Sequence, residues 1–418
     1  MSRHKRVRMR CSRCSEEYEH KHVIRCERCG STVDPVYDLT RVRIGEDGDS
    51  LSRYFAILPL GSKDDARGGC EPTPLVHARE AGRRYGLNQL FLKDETGHPT
   101  RTTKDRMAAV ALSRLRELGV DDFVASSTGN SSTAFAYWIE NFGADSLHAH
   151  LFCGAGWVSR HQHCDHDGAS LHVIDGTFVK AGAAAKKFAA DTGLVWEGGF
   201  FNPCRREGLK IAYLEAFDQL PREPSVVIQA VSSGMGLYGC WRGVCEYRAL
   251  DRLTAAPRFV CVQQESCRPM VRSFERGSSE MLPEFIVSNP TGIAEAILRG
   301  DPTGSYPYMH RIVTETQGTF LAISQIDIEA AQANLAEDEG IRACPASAAA
   351  IAGARELKRS GWIGPDEVVL VNIAGGTRPR AIDGSEEATL THAFGAPPTA
   401  DAVVADRGTA SSGLSGNV

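Results

Sequence analysis

The sequence predicts an α/β fold built on a largely parallel sheet, preceded by a small cysteine-rich module. Three observations carry this expectation. Short apolar runs alternate with amphipathic stretches from about residue 51 to 385. Two of those runs, SVVIQAV (225–231) and EVVLVNI (367–373), have apolar, β-branched centres suited to strands buried on both faces. Four of the thirteen cysteines fall within residues 1–40, in two CxxC pairs.

The elements follow in order. Residues 1–40 read as a separate module. Cys11, Cys14, Cys26 and Cys29 have the spacing C-x2-C-x11-C-x2-C. Each CxxC can present two thiolates to one tetrahedral ion, and two such knuckles close a four-sulfur site. A structural zinc ribbon is expected, closed and not catalytic; a redox dithiol fits two matched pairs less well. The basic start MSRHKRVRMR reads as a solvated, frayed terminus. Strands are expected at FVASS (123–127), HAHLF (148–152), 225–231, RFVCVQQ (258–264) and 367–373. MAAVALSRLREL (107–118) has apolar residues near helical spacing. SAAAIAGARELKRS (347–360) is alanine-rich with basic residues towards its end, as the helix dipole favours. From about residue 386 the composition shifts to Ala, Thr, Ser, Gly and Pro, which predicts a disordered tail over 386–418.

Composition narrows the function. The net charge of −5 removes the usual basis of nucleic-acid binding. No apolar run reaches the about 18–20 residues needed to span a bilayer, so no membrane partner is expected. The basic start lacks a following apolar stretch, which argues against a secretory signal and for a cytoplasmic location.

Three loops carry the candidate chemistry. GHPTRTTKDRMAAVAL delivers Lys104 immediately before a helix, although an isolated lysine is ordinarily a solvated surface group. SSTGNSSTAFAYW (126–138) ends a strand and opens a helix, with Ser127, Thr128, Gly129, Asn130 and Ser131 at the turn. Backbone N–H groups there suit a flat ring or a carboxylate, and plain helix capping is an equal reading. VSSGMGLYGCWRG (231–243) places Ser233, Gly234, Met235, Gly236 and Leu237 after a strand. This could cradle a phosphate or be a tight strand–helix turn. It is neither a Walker A loop nor a dinucleotide fingerprint. A fourth cluster, SRHQHCDHDG (159–168), reads as a solvated histidine-rich loop before a second metal site.

The order of these loops resembles the threonine synthase-like family of fold-type II pyridoxal phosphate (PLP) enzymes, in the tryptophan synthase beta superfamily. LFLKDETGHPTRTTKDR (90–106) is similar to its KDE-NPTGSFKDR signature, and EPTPLVHAREAGRRYG (71–86) to its GxTPL segment. GTFVKA (176–181), NPCRREGLK (202–210), VQQES (262–266), TGIAEAI (291–297) and EDEGIRACPASAAAIAG (337–353) sit in family order. The likeness covers about residues 50–380. It implies two three-layer parallel-sheet domains with the cofactor in the cleft. The implied division is 1–40 zinc ribbon, 41–105 with 200–385 large PLP-binding domain, and 106–199 smaller mobile domain.

The resemblance implies that Lys104 holds PLP as a Schiff base and shuttles the substrate α-proton. Asn130 would face the phenolic oxygen, and Ser233, Gly234, Met235, Gly236 and Leu237 the phosphate. Thr103, Ser127, Thr128, Gly129 and Ser131 would lie against the substrate. Arg101, Arg205 and Lys210 are the cations for a leaving phosphate or a carboxylate.

Departures qualify the reaction. The family's GSF before the lysine is Arg101-Thr102-Thr103. The late TGHGLK segment is Ala374-Gly375-Gly376-Thr377-Arg378, so the hydroxyl facing the pyridine nitrogen is lost at Ala374. Thr377 is the expected replacement, with Asn372 another. The expectation is a specialised β-replacement synthase of secondary metabolism, acting on an amino acid with an O-phospho or similar leaving group, and a homodimer. Authentic threonine synthase, converting O-phosphohomoserine, is one alternative. An inactive scaffold whose ribbon docks a partner is another.

Overall fold

Two largely parallel sheets and one antiparallel ribbon organise the computed structural model, which describes residues 7–19, 21–46, 48–63, 70–141 and 147–378. The ribbon strands are β1 (Arg8–Cys11), β2 (Glu17–Glu19) and β3 (Val33–Val36). Next come α1 (Ser50–Tyr54), β4 (Leu75–His77), α2 (Arg79–Tyr85), β5 (Leu90–Asp94) and α3 (Lys104–Glu117). They are followed by β6 (Asp122–Ser126), α4 (Asn130–Asn141), β7 (His148–Gly154), β8 (Ala169–Ile174), α5 (Phe178–Thr192) and β9 (Val195–Trp196). Then come α6 (Pro203–Gln219), β10 (Val226–Ala230), α7 (Met235–Ala249), β11 (Arg258–Gln264) and α8 (Pro269–Glu275). The last are α9 (Tyr306–Glu315), β12 (Thr319–Ile323), α10 (Gln325–Glu339), α11 (Pro345–Arg359) and β13 (Val369–Ile373). The expected tail at 386–418 lies outside the described residues.

The chain forms two compact units. Of the described residues, one holds those up to Gly119 together with 199–378, and the other Val120–Gly198. Residues 106–119, assigned to the smaller domain from the sequence, belong to the first unit, where α3 packs along α6.

The first unit is built on a sheet of order β12-β11-β10-β13-β5-β4. All its pairings are parallel except β4 with β5. Val226 and Ile228 join one core cluster with Val260, Val262, Val369 and Val371. Their neighbours Val227, Phe259, Cys261 and Leu370 are equally buried from the other side. Burial on both faces is what the apolar centres of these runs require. Alanines of α11 complete that cluster; a side chain this small lets the helix lie close to the sheet.

The second unit has a parallel sheet of order β8-β7-β6-β9. On one face α5 places Ala185, Phe188 and Ala189 against Val124 and Phe152.

The ribbon corrects one expectation. Residues 1–6 lie outside the described residues, but Val7 and Met9 are buried and Arg8–Cys11 pairs with β3. From Val7 on, the basic start is therefore part of the ribbon and not a solvated end. The pattern also missed β5 and β8, which mix polar with apolar residues, and β12, although Phe320–Ile323 is an apolar run. No helix among the described residues is long and apolar enough to cross a membrane.

Candidate active site

Lys104 is the first residue of α3 and is held there by its neighbours. The backbone N–H and Oγ1 of Thr100 both donate to the Asp105 carboxylate at 2.9 Å, closing the turn. Lys104 N–H donates to Thr102 Oγ1 at 2.9 Å. Arg106, fully buried, anchors the helix start from below. Its Nε donates to Glu95 Oε2 and its Nη1 to Glu215 Oε1, each at 2.7 Å. Burial alone would expel such charges, but two carboxylates facing a fixed guanidinium fork are mutually satisfied. The Lys104 amine is lowered to about 8 by burial and then by the Arg205 cation. It is a group that can hold or release a proton near neutral pH.

A zipper of backbone bonds ties this loop to the loop after β13. Thr103 N–H donates to Ala374 O at 2.9 Å, and Gly376 N–H donates to Arg101 O at 2.9 Å. Arg101 adopts the left-handed conformation, φ 57°, and remains exposed. Ser347, which no sequence signal marked as special, accepts from Gly375 N–H at 3.0 Å and donates to Gly375 O at 2.9 Å. Thr377 is exposed and its hydroxyl donates to Ala343 O at 3.2 Å, the contact of a turn cap. Asn372 is buried; its Nδ2 donates to Tyr213 Oη at 3.0 Å, while its Oδ1 has no hydrogen-bond partner.

α6 spaces this machinery. A Cβ on Gly208 would lie 2.5 Å from Arg106 O, and one on Gly239 would lie 2.4 Å from Arg206 O. Two glycines thus let α3 and α7 approach α6 closely. The glycine-rich turn caps α7: Gly234 is left-handed, φ 78°, and a Cβ there would lie 2.1 Å from Met309 Sδ. A Cβ on Gly236 would meet Gln229 Nε2 at 2.6 Å. The first bond of the turn runs from Tyr238 N–H to Gly234 O, so Met235, Gly236 and Leu237 stand in the first turn, where helix N–H groups face outward.

These features fit pyridoxal phosphate. The helix-start cradle, at glycines that admit no side chain, suits a phosphate. The lowered Lys104 amine suits an aldehyde, and the buried Thr103 hydroxyl lacks a partner of its own.

Lys210 is a correction. Its ammonium is buried and bonded to Ile57 O at 2.7 Å, to Glu246 Oε2 at 2.7 Å and to Glu207 Oε2. All three donors are used inside the protein, so it is a structural cation and not a substrate contact. Arg205 is buried on the same helix, with its charge felt at Lys104.

In the second unit, the Ser127–Asn130 turn leaves β6 and starts α4. Ser127 Oγ accepts from Gly129 N–H at 3.1 Å and from Ser132 N–H at 3.4 Å, so capping is part of its work. Gly129 has φ 125°, and a Cβ there would lie 2.8 Å from Arg160 O. Arg160 Nη2 donates to Asn130 Oδ1 at 3.5 Å. The histidines of 159–168 are dispersed: His161 Nδ1 bonds Trp157 O, and His166 Nε2 bonds Ala136 O.

In the ribbon, Cys11, Cys14, Cys26 and Cys29 bring their sulfurs within 4.8 Å of one another, a group able to hold a metal ion. Tyr18 Oη donates to Cys26 Sγ at 3.3 Å, and that bond foremost lowers the thiol to about 6.

Comparison with known proteins agrees with this geometry. The family model of pyridoxal-phosphate dependent enzymes matches residues 66–375. Threonine synthase of Methanosarcina acetivorans is 29% identical over 376 residues, covering 88% of this chain and 91% of that protein. Cysteate synthase of Methanosarcina mazei is 26% identical over 390 residues, covering 89% and 92%. Among solved structures, maize serine racemase aligns with a TM-score of 0.62 at 19% identity, covering 77% of this chain and 92% of that one. At that identity the likeness speaks for the fold. The match to the family model spans most of the chain and takes in both the lysine loop and the glycine cradle: the chain belongs to the pyridoxal-phosphate dependent enzymes.

Proposed function

We propose that this enzyme removes an anionic leaving group, a phosphate or its equivalent, from an amino acid and replaces it, as a specialised β-replacement synthase. The observation that carries the reading is the loop Arg101-Thr102-Thr103 beside Lys104, pinned to Ala374–Gly376. It sets an added cation and two hydroxyls in the turn that leads into Lys104, with Thr103 Oγ1 buried and without a partner. When bound, pyridoxal phosphate supplies an aldehyde for the substrate amine and a ring that takes up the electron pair left by α-proton removal. Lys104 Nζ accepts that proton, its basicity already brought to about 8. Arg101 and Arg205 attract the anionic groups of the substrate, and the α7 start holds the cofactor phosphate. Asn130 and the Ser127–Ser131 turn are proposed to meet the cofactor ring and the substrate carboxylate. The relatives named threonine synthase and cysteate synthase support an elimination and replacement chemistry.

Authentic threonine synthase is the second reading, favoured by the 30% identity over 331 residues to threonine synthase of Mycobacterium tuberculosis. Phosphate release and product analysis with O-phosphoserine, O-phosphohomoserine and O-acetylserine separate the two. Turnover of O-phosphoserine with an added nucleophile supports the first reading. Threonine formed from O-phosphohomoserine alone supports the second and overturns the first.

For the ribbon we propose zinc, since four thiolates and a tetrahedral closure suit it. A cytoplasmic location fits a cluster of reduced thiols. The expected homodimer is to be checked by light scattering.

A further inference from the structure

The second unit holds a cluster that the proposed reaction does not use. Asp122 and His148 are the first residues of β6 and β7 and stand opposite each other in register. His150 lies two residues along β7 and so shares the face of His148. Asp122 Oδ1 is 3.3 Å from His148 Nδ1 and 3.6 Å from His150 Nε2. All three ligand atoms lie within 4.8 Å of one another.

The remaining nitrogens are already engaged. His148 Nε2 lies 3.0 Å from Ser170 Oγ, and His150 Nδ1 lies 3.2 Å from His172 Nε2. This is the outer support that metal-binding imidazoles use: one nitrogen is held by a partner, so the other is left to face the ion. His150 is 5% exposed, and its Nε2 has no hydrogen-bond partner. That nitrogen is buried and aimed at a carboxylate just beyond hydrogen-bond reach. Ligands about 2.0–2.1 Å from a tetrahedral ion stand about 3.3–3.4 Å from each other. The two separations from Asp122, 3.3 and 3.6 Å, lie at and slightly above that edge.

We propose that Asp122, His148 and His150 bind a divalent transition-metal ion, with zinc the ion that two imidazoles and one carboxylate suit best. His148 has 27% of its side chain exposed, which leaves a side open for water as the fourth ligand. The site lies at the amino end of β6, whereas the Ser127–Asn130 turn leaves its carboxyl end. The ion therefore fastens β6 to β7 at the edge away from that turn, a structural role.

The test is zinc content by mass spectrometry of the intact holoenzyme, equilibrated with excess zinc sulfate and desalted. About two zinc ions per chain are expected, one in the four-cysteine group and one here. His148→Ala and His150→Ala should each lose one equivalent and keep the cofactor absorbance. Cys26→Ala should lose the other equivalent. His163→Ala, in the dispersed histidine loop, should lose none. If His150→Ala does not fold, the partly exposed His148→Ala alone decides. A wild-type protein holding no more zinc than His148→Ala overturns the proposal, whatever the enzyme turns over. So does full retention of zinc in His148→Ala.

Discussion

Arg206, fully buried on α6, donates through Nη2 to Asp34 Oδ1 of the ribbon at 3.0 Å. The other carboxylate oxygen of Asp34 accepts from Tyr238 Oη at 2.7 Å, on the first turn of α7. Arg206 also donates to Val33 O, and Arg242 donates to Pro35 O at 2.8 Å. The ribbon is thus bonded to α6 and to α7, the helix whose start is proposed to cradle the cofactor phosphate.

Disturbing that joint should reach the cofactor. Asp34→Ala leaves Arg206 buried without its carboxylate and is expected to cost about 3 kcal/mol of stability. Burial opposes ionisation of Asp34, but the Arg206 and Arg242 cations outweigh it and its pKa is lowered. A lowered carboxylate stabilises the fold above about pH 4 and loses that contribution as the pH falls through the folded value. Acid titration followed by proteolysis of the ribbon should show it released at low pH, and Asp34→Asn should flatten that transition. Cys26→Ala should lower cofactor retention on dialysis roughly tenfold, about 1.4 kcal/mol. Unchanged retention would remove the coupling.

Cofactor capture should follow the protonation of Lys104. Only the neutral amine attacks an aldehyde, so the rate of cofactor uptake by the stripped enzyme should rise with pH through a midpoint near 8 and level off above it. Arg205→Ala removes one of the two causes of the lowered value, so the midpoint should move upward. Stopped-flow absorbance against pH reads both. Lys104→Ala should give no covalent adduct after borohydride reduction, and an adduct mapped to another lysine would reject the assignment.

Arg106→Leu should be far worse than its size suggests. It leaves Glu95 and Glu215 buried without their guanidinium, a loss of about 3–5 kcal/mol. Arg106→Lys should recover only part, because a single ammonium cannot bridge both carboxylates as the fork does. Thermal unfolding of the three proteins gives the ranking, and equal stability of wild type and Arg106→Leu would contradict it.

Gly239→Ala pits helix propensity against packing. Alanine gains about 1 kcal/mol in a helix interior. Its Cβ would lie 2.4 Å from Arg206 O, which forces α7 off α6 at a cost of about 1–3 kcal/mol. Net destabilisation is expected in denaturant titration, with weaker cofactor binding because the cradle begins five residues earlier at Gly234.

The sequence by itself determined the α/β class, strands with apolar centres such as β10 and β13, the lysine at a helix start, the glycine-rich turn before α7 and the four-cysteine group. Each is encoded locally, by a short run, a spacing or a backbone conformation that favours glycine. Tertiary structure decided the rest. Lys210 looks like a substrate cation in sequence, yet Glu246, distant in the chain, claims its charge together with Glu207. Thr377 looks like a free hydroxyl, yet Ala343 O takes it, while Ser347 holds Gly375. Asp122, His148 and His150 draw together only when β6 and β7 pair, and Asp34 finds Arg206 only when the ribbon docks. A polar side chain has its role set by the partners that the fold brings within hydrogen-bond reach. Those partners are far apart in the chain, so local pattern holds no record of them.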